Sequence, residues 1–569
     1  MIAEVDEDQA PEGKSIWLTL LPLIACVGAV IWFFRDFFQF GFDRIAGDIG
    51  DNRFIIAILE HWRRVFLGQM ADYTSPIFFY PEKGVLGSSE ALFLFAIPYT
   101  IARATGADMP LSFEITLIAF KVIGFWGMFL LARHVLNAGT VLATFAAVLF
   151  SISNMYFMSV GHAQLSAVVF FPWIALLGGV HWCKQAQGRT LLCRVCISSA
   201  GVLTALVLFT SFYIGWFLIL LASALAVVSV LVFVLRERSF DPVFRLIRTA
   251  NRRKLDLFLG VLAFAIAIVP FLMTYLPMMR RTGGRNFDEV TMYMALRIDL
   301  YNIGPLNVVW SRLLNPYLQF LSIIRPSHLE MAVGWPPAIT VVFAVLILGT
   351  GWRICRPRGP VKPALVFAAA AAITCTCLWL LTLLYNDFAP WWYVFKFVPG
   401  ATAIRVPARF NLVLNALGIV AIVIGMAHIG RKRRPGWIKT AVGCVLALLL
   451  VEQVNVQRLH LISRNNEATV LSRAPAPPSQ CKSFYVVNVA YPGRPFYATQ
   501  IDAMLISQQY NLPTVNGYSG WFPTDWKLLT FNKDYVENAN KWARSKGIAS
   551  GLCSLDLASG VWSTPKSRL

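Results

Sequence analysis

Eleven stretches of mostly apolar residues, each about long enough to cross a bilayer as a helix, recur along this 569-residue chain and constrain its fold more than any other feature. They run over 16–34, 113–132, 140–158, 164–182, 195–212, 213–235, 257–276, 337–352, 364–385, 410–429 and 438–454. Lipid offers no water to backbone groups, and a helix satisfies those groups internally. With 57% hydrophobic and 14% charged residues, most of the chain has lipid as its solvent. The net charge of +20 then acquires a different meaning from the one it has in a soluble protein. The basic residues sit in short stretches between apolar runs, such as RKRR at 431–434, where they set topology, and nucleic acid drops out as a partner.

The orientation follows from the same residues. With a cytoplasmic N-terminus, the inner loops 133–139, 183–194, 236–256, 353–363 and 430–437 hold nineteen Lys or Arg in 59 residues. The outer loop from 277 to 335, also 59 residues, holds six, which is the asymmetry the positive-inside rule predicts. Residues 1–15 are acidic and lack the basic n-region and cleavage site of a signal peptide, so the first apolar run is read as a retained helix. The segment EALFLFAIPYTIARATG at 90–106 is apolar but short and interrupted by Pro98. Counting it as a span inverts every later loop, so it is read as re-entrant or interfacial.

The expected fold class is a polytopic α-helical membrane protein with about eleven transmembrane helices and a small C-terminal α/β domain outside the cytoplasm. Its parts are a cytoplasmic tail at 1–15, a transmembrane domain at 16–455 with outer loops at 35–112, 277–336 and 386–409, and an extracytoplasmic domain at 456–569. APAPPSQC at 474–481 reads as a linker, and SFYVVNVAY at 483–491, β-branched and aromatic, as a strand of a mixed module. Cys481 and Cys553, the only cysteines beyond residue 456, either bridge or remain thiols in an oxidising compartment. The other eight cysteines show no paired spacing of a zinc site; Cys193 and Cys196 form a lone CxxC at a helix start.

Residues able to do chemistry gather at the outer helix mouths. FGFDRIAGDIGDNRF at 40–54 brings Asp43, Asp48 and Asp51 to the water boundary, with Asp48 and Asp51 on one face of any helical turn. A carboxylate there can act as a general base toward a hydroxyl, or simply cap a helix. FFYPEKG at 78–84 supplies Tyr80, and SNMYFMSVGHAQ at 153–164 places His162 and Gln164 at an outer helix end. HLEMAVGWPP at 328–337 carries Glu330, and FVPGATAIRVPARF at 397–410 carries Arg405 and Arg409, whose guanidinium groups suit either a phosphate or lipid headgroups.

The chain resembles the multi-spanning glycosyltransferases of the GT-C fold: one helix, a long outer loop with acids near its start, many further helices and an outer C-terminal domain. The likeness to bacterial members rests on Gly161, His162 and Gln164, on Pro172–Trp173 in the next helix, on IRVPARF at 404–410 and on NGYSGWFP at 516–523. The resemblance implies transfer of a sugar from a polyprenyl-phosphate donor to a glycan, lipid or protein acceptor on the outer face of a plasma membrane. It makes Asp48 the base, with Asp51 in support, and Arg405 or Arg409 the donor-phosphate ligand. Some members bind a divalent metal through an acidic pair in the second outer loop; His162 and Gln164 stand there instead, so no metal is expected. The alternatives are a transporter or flippase of lipid-linked saccharide and a non-catalytic scaffold.

Overall fold

The computed structural model describes residues 16–159, 161–184, 190–324, 332, 334–355, 361–429, 435–456 and 461–564. Among these, nine helices are long and apolar enough to cross a membrane, or ten if one bent pair forms a single span, and the architecture is that expected of a polytopic helical membrane protein. The elements used below are α1 (Ile16–Phe33), β1 (Arg44–Ala46), α2 (Asp51–Phe66), α3 (Phe93–Ala104), α4 (Met109–His134) and α5 (Thr190–Thr210). They continue with α6 (Phe212–Glu237), α7 (Lys254–Ala267), α8 (Val269–Thr282), α9 (Pro337–Cys355), α10 (Phe410–Ile429) and α11 (Gly436–Val451). The C-terminal segment adds β2 (Leu461–Ser463), α12 (Arg464–Ser472), β3 (Ser483–Asn488), α13 (Phe496–Tyr510), β4 (Leu552–Asp556) and β5 (Val561–Ser563).

Two of the eleven expected spans fall outside the nine single candidates. The run at 257–276 is the pair α7–α8, bent by 53°. Pro270 enters at the start of α8, and its ring removes an N–H and crowds the preceding turn, which breaks the helix there. The run at 438–454 appears as α11, sixteen residues, shorter than the length that spans unaided. The segment at 90–106 is the twelve-residue α3, which also falls short. Its neighbour α2 is a new element of the segment between α1 and α3. It is almost wholly buried, Arg53, Glu60, His61 and Arg64 included.

Buried charge at that depth needs partners, and α2 finds them on both sides. Glu60 accepts from Tyr99 Oη at 2.7 Å and Arg103 Nε at 2.6 Å, fixing α3. Arg53 Nε lies 2.9 Å from Glu467 Oε2 and its Nη2 2.5 Å from Asp502 Oδ1; Arg494 bridges the same two acids at 2.7 Å each. This quartet of two arginines and two carboxylates joins α2 to α12 and α13. Antiparallel pairing of β1 with β2, Arg44 opposite Ser463 and Ala46 opposite Leu461, ties the same loop to the C-terminal segment a second time.

That segment contains a three-stranded sheet in the order β3-β4-β5, parallel between β3 and β4 and antiparallel between β4 and β5. The expected strand at 483–491 is β3. Cys481 and Cys553 are joined by a disulfide beside it, and Phe484, Val486, Leu555 and Leu557 form a core of their own.

Candidate functional site

The GDIGD turn is built by its glycines. Gly47 has φ +91°, and a Cβ there would lie 2.1 Å from Asn52 Nδ2, so a left-handed backbone and close packing both require glycine. Asn52 donates to the Ala46 carbonyl at 2.8 Å and accepts from the Ala163 N–H at 3.4 Å, which draws the His162 segment to this turn. Asp48 is exposed, and its Oδ1 accepts from the N–H groups of Gly50 and Asp51, both at 2.9 Å. It therefore caps the start of α2. Asp51, the first residue of that helix, points elsewhere.

Asp51 Oδ2 pairs with His162 Nδ1 at 3.0 Å, and Tyr518 Oη donates to Asp51 Oδ1 at 3.4 Å. Burial, the largest influence, works to raise this carboxyl. The hydrogen bond and charge of His162, the Arg409 charge and the Tyr518 phenol outweigh it and hold Asp51 below the usual carboxylate range. The result is an ionised carboxylate paired with an imidazole, a constellation able to accept a proton.

Arg409 is buried at 7% exposure, its guanidinium 5.3 Å from the Tyr213 ring centroid. Arg405 is more open. Its N–H donates to Tyr213 Oη at 2.7 Å, its guanidinium lies 4.8 Å from the Tyr293 ring, and its Nη1 is 4.0 Å from Glu289 Oε1. Glu289 is taken more closely by Arg285 at 2.6 Å, and Arg285 in turn lies 4.9 Å from the Trp521 ring. Tyr213 thus holds both arginines of IRVPARF, one by hydroxyl and one by ring face.

Sequence reasoning missed Glu90. Its carboxylate accepts from the Phe212 N–H at the start of α6 and from Ser211 Oγ at 3.3 Å. Burial pushes it up to about 7, against the Phe212 and Tyr213 N–H groups, the Arg409 charge and the Ser211 hydroxyl. Arg409 therefore feels both Asp51 and Glu90. The signal was an acid heading an apolar helix of twelve residues, a position where a carboxylate is costly unless used.

The remaining expected residues divide. Gln164 follows His162 in the 3-10 turn Ala163–Phe170, and its Oε1 is buried with no hydrogen-bond partner among the described residues. Tyr80 serves the C-terminal segment instead of the Asp51 cluster: its N–H donates to the Thr514 carbonyl, and its carbonyl accepts from Trp542 Nε1, both at 2.9 Å. Phe79, beside it, lies under Gly517, where a Cβ would stand 2.6 Å from the ring. This contact seats NGYSGWFP over the site, with Tyr518 at Asp51 and Trp521 at Arg285. Glu330 lies outside the described residues.

No family model matches the chain, and no curated protein matches it. Among the described residues, no group of three or more His, Cys, Asp or Glu side chains is arranged to hold a metal ion.

Proposed function

We propose that the protein is an inverting membrane glycosyltransferase of the GT-C type, moving a sugar from a polyprenyl-phosphate donor to an acceptor hydroxyl on the outer face of a plasma membrane. The Asp51–His162 pair takes the acceptor proton, and the freed oxygen attacks the anomeric carbon. The bond from that carbon to the phosphate oxygen breaks, and the polyprenyl phosphate leaves as an anion held by Arg405 and Arg409. The observation that carries this reading is an ionised carboxylate, paired with a histidine at 3.0 Å, facing a buried arginine. Asp51 is assigned the base in place of Asp48, because Asp48 already accepts two backbone hydrogen bonds. An outer C-terminal domain and eleven spans belong to the same proposal; the Cys481–Cys553 disulfide, a bond of oxidising compartments, supports it.

A second reading, translocation of a lipid-linked saccharide, draws on Lys121. Buried within α4, its Nζ donates to the Ser151 carbonyl at 3.0 Å and lies 3.4 Å from the Phe33 ring centroid. The test compares envelope glycans and glycolipids of cells lacking the protein with cells rescued by wild type or by Asp51→Asn. Transfer requires that Asp51→Asn fail to restore the missing sugar while inserting normally. Full rescue by that variant favours translocation.

A further inference from the structure

Tyr497, in the first turn of α13, is 37% exposed and stands beside the Asp51 cluster. Gly50 permits that approach: a Cβ built there would lie 3.1 Å from Tyr497 Cε2 and 3.4 Å from Asp48 Oδ1. The ring of Tyr518 lies 6.1 Å from that of Tyr497 with planes 39° apart, and Tyr518 is itself held edge-on by Phe54 at 5.6 Å and 76°. Burial and the charges of Asp48 and Asp51 together push the Tyr497 phenol up, which sets both carboxylates near that ring. Trp521, three residues after Tyr518, lies under the Arg285 guanidinium at 4.9 Å.

Open hydrogen-bonding capacity accompanies these rings. Ser519 Oγ, Gln164 Oε1 and Arg285 Nε are buried with no hydrogen-bond partner among the described residues. Buried polar atoms are costly when unsatisfied, and each belongs to a segment that also contributes to the cluster: Ser519 follows Tyr518, Gln164 follows His162, and Arg285 stacks on Trp521. Aromatic rings and unspent donors and acceptors carried on the same segments suit a molecule with a flat C–H surface and a rim of hydroxyls. A pyranose has both.

We propose that Tyr497 and Tyr518 form the acceptor subsite, and that the acceptor is a glycan whose terminal ring stacks on Tyr497 and offers a hydroxyl to Asp51. This rests on the glycosyl-transfer reading and narrows its acceptor from glycan, lipid or protein to a saccharide end. In the transfer, the hydroxyl proton passes to the Asp51–His162 pair, the hydroxyl oxygen bonds to the anomeric carbon, and the donor phosphate carries off the electron pair of the broken bond.

The test is saturation-transfer NMR on the full chain in lipid nanodiscs, without donor, using methyl glycosides of glucose, mannose, galactose and N-acetylglucosamine as probes. At least one should receive saturation at its ring C–H protons. Tyr497→Ala should weaken that binding by about tenfold, Tyr497→Phe should retain it because the ring face remains, and Asp51→Asn should keep it within a few-fold. Absence of binding by every glycoside at millimolar concentration, or equal binding by Tyr497→Ala, overturns the subsite, as does a peptide probe that binds in their place. Asp51-dependent transfer with an unchanged acceptor KM in Tyr497→Ala overturns the subsite and leaves the transferase standing. Tyr497-dependent glycoside binding in a protein with no transfer activity upholds the subsite and overturns the transferase.

Discussion

Asp48 and Asp51 stand three positions apart on one face of any helical turn, and only the family resemblance ranks Asp48 first. What separates them is where α2 begins, and a boundary of one or two residues is the least legible property of a helix in sequence. Asp48 supplies hydrogen bonds to backbone donors, a task Asn also performs, so Asp48→Asn should keep near wild-type stability and turnover, while Asp48→Ala loses about 1 kcal/mol by thermal unfolding. Asp51→Asn should insert and fold yet lose roughly a hundredfold to ten-thousandfold in transfer rate, the usual cost of removing a general base. The reverse ranking in an initial-rate assay with polyprenyl-phosphate sugar returns the base to Asp48. Glu90 gives a pH signature. Its folded pKa of about 7 exceeds the ordinary glutamate value, so the native state holds a proton that the unfolded chain has released. Stability tied to that proton is present in full below about pH 4.3 and falls as pH rises through 7. Ionised Glu90 also offsets the Arg409 charge, so the donor KM should climb above pH 7 in wild type and stay flat in Glu90→Gln; equal slopes detach Glu90 from donor binding.

At the scale of elements, the apolar runs were legible because a bilayer imposes both length and polarity. The strand β3 was legible from its β-branched and aromatic run, and the two possibilities for Cys481 and Cys553 resolved into a bridge. Helix α2 was not. DNRFIIAILEHWRRVF carries too many charges to read as buried, and its burial depends on Glu467, Asp502 and Arg494, more than 400 positions later. Such partners leave no local trace in a single sequence. The quartet is electrically balanced, so deleting one member strands a buried charge. Arg53→Met should therefore cost about 3–5 kcal/mol, and the double variant Arg53→Met with Asp502→Leu should recover part of it. Protease resistance of the C-terminal segment during a thermal ramp reads this. A fully additive loss denies that the two side chains act as a unit.

For the whole molecule, inner-loop charge predicts an outward C-terminus. A reporter active only in the cytoplasm, fused after Leu569, should stay silent, and a periplasm-active one should give signal. The opposite pair of results reverses the topology and with it the outer site. The elements singled out in sequence, GDIGD, GH-Q, IRVPARF and NGYSGWFP, meet in one cluster, whereas FFYPEKG proves to be a seat for the last of them. Tyr518 reaches Asp51 across 467 positions, and β1 finds its strand partner only after every span has been made. A ribosome adding roughly 5–20 residues per second needs on the order of a minute to cover that separation. Throughout that interval the early loop stands without its partner, and the cluster is unfinished. A chain that stalls or is cut short before Tyr518 leaves Asp51 without that partner, so on the transfer reading proposed above completion of synthesis itself acts as the licence for chemistry.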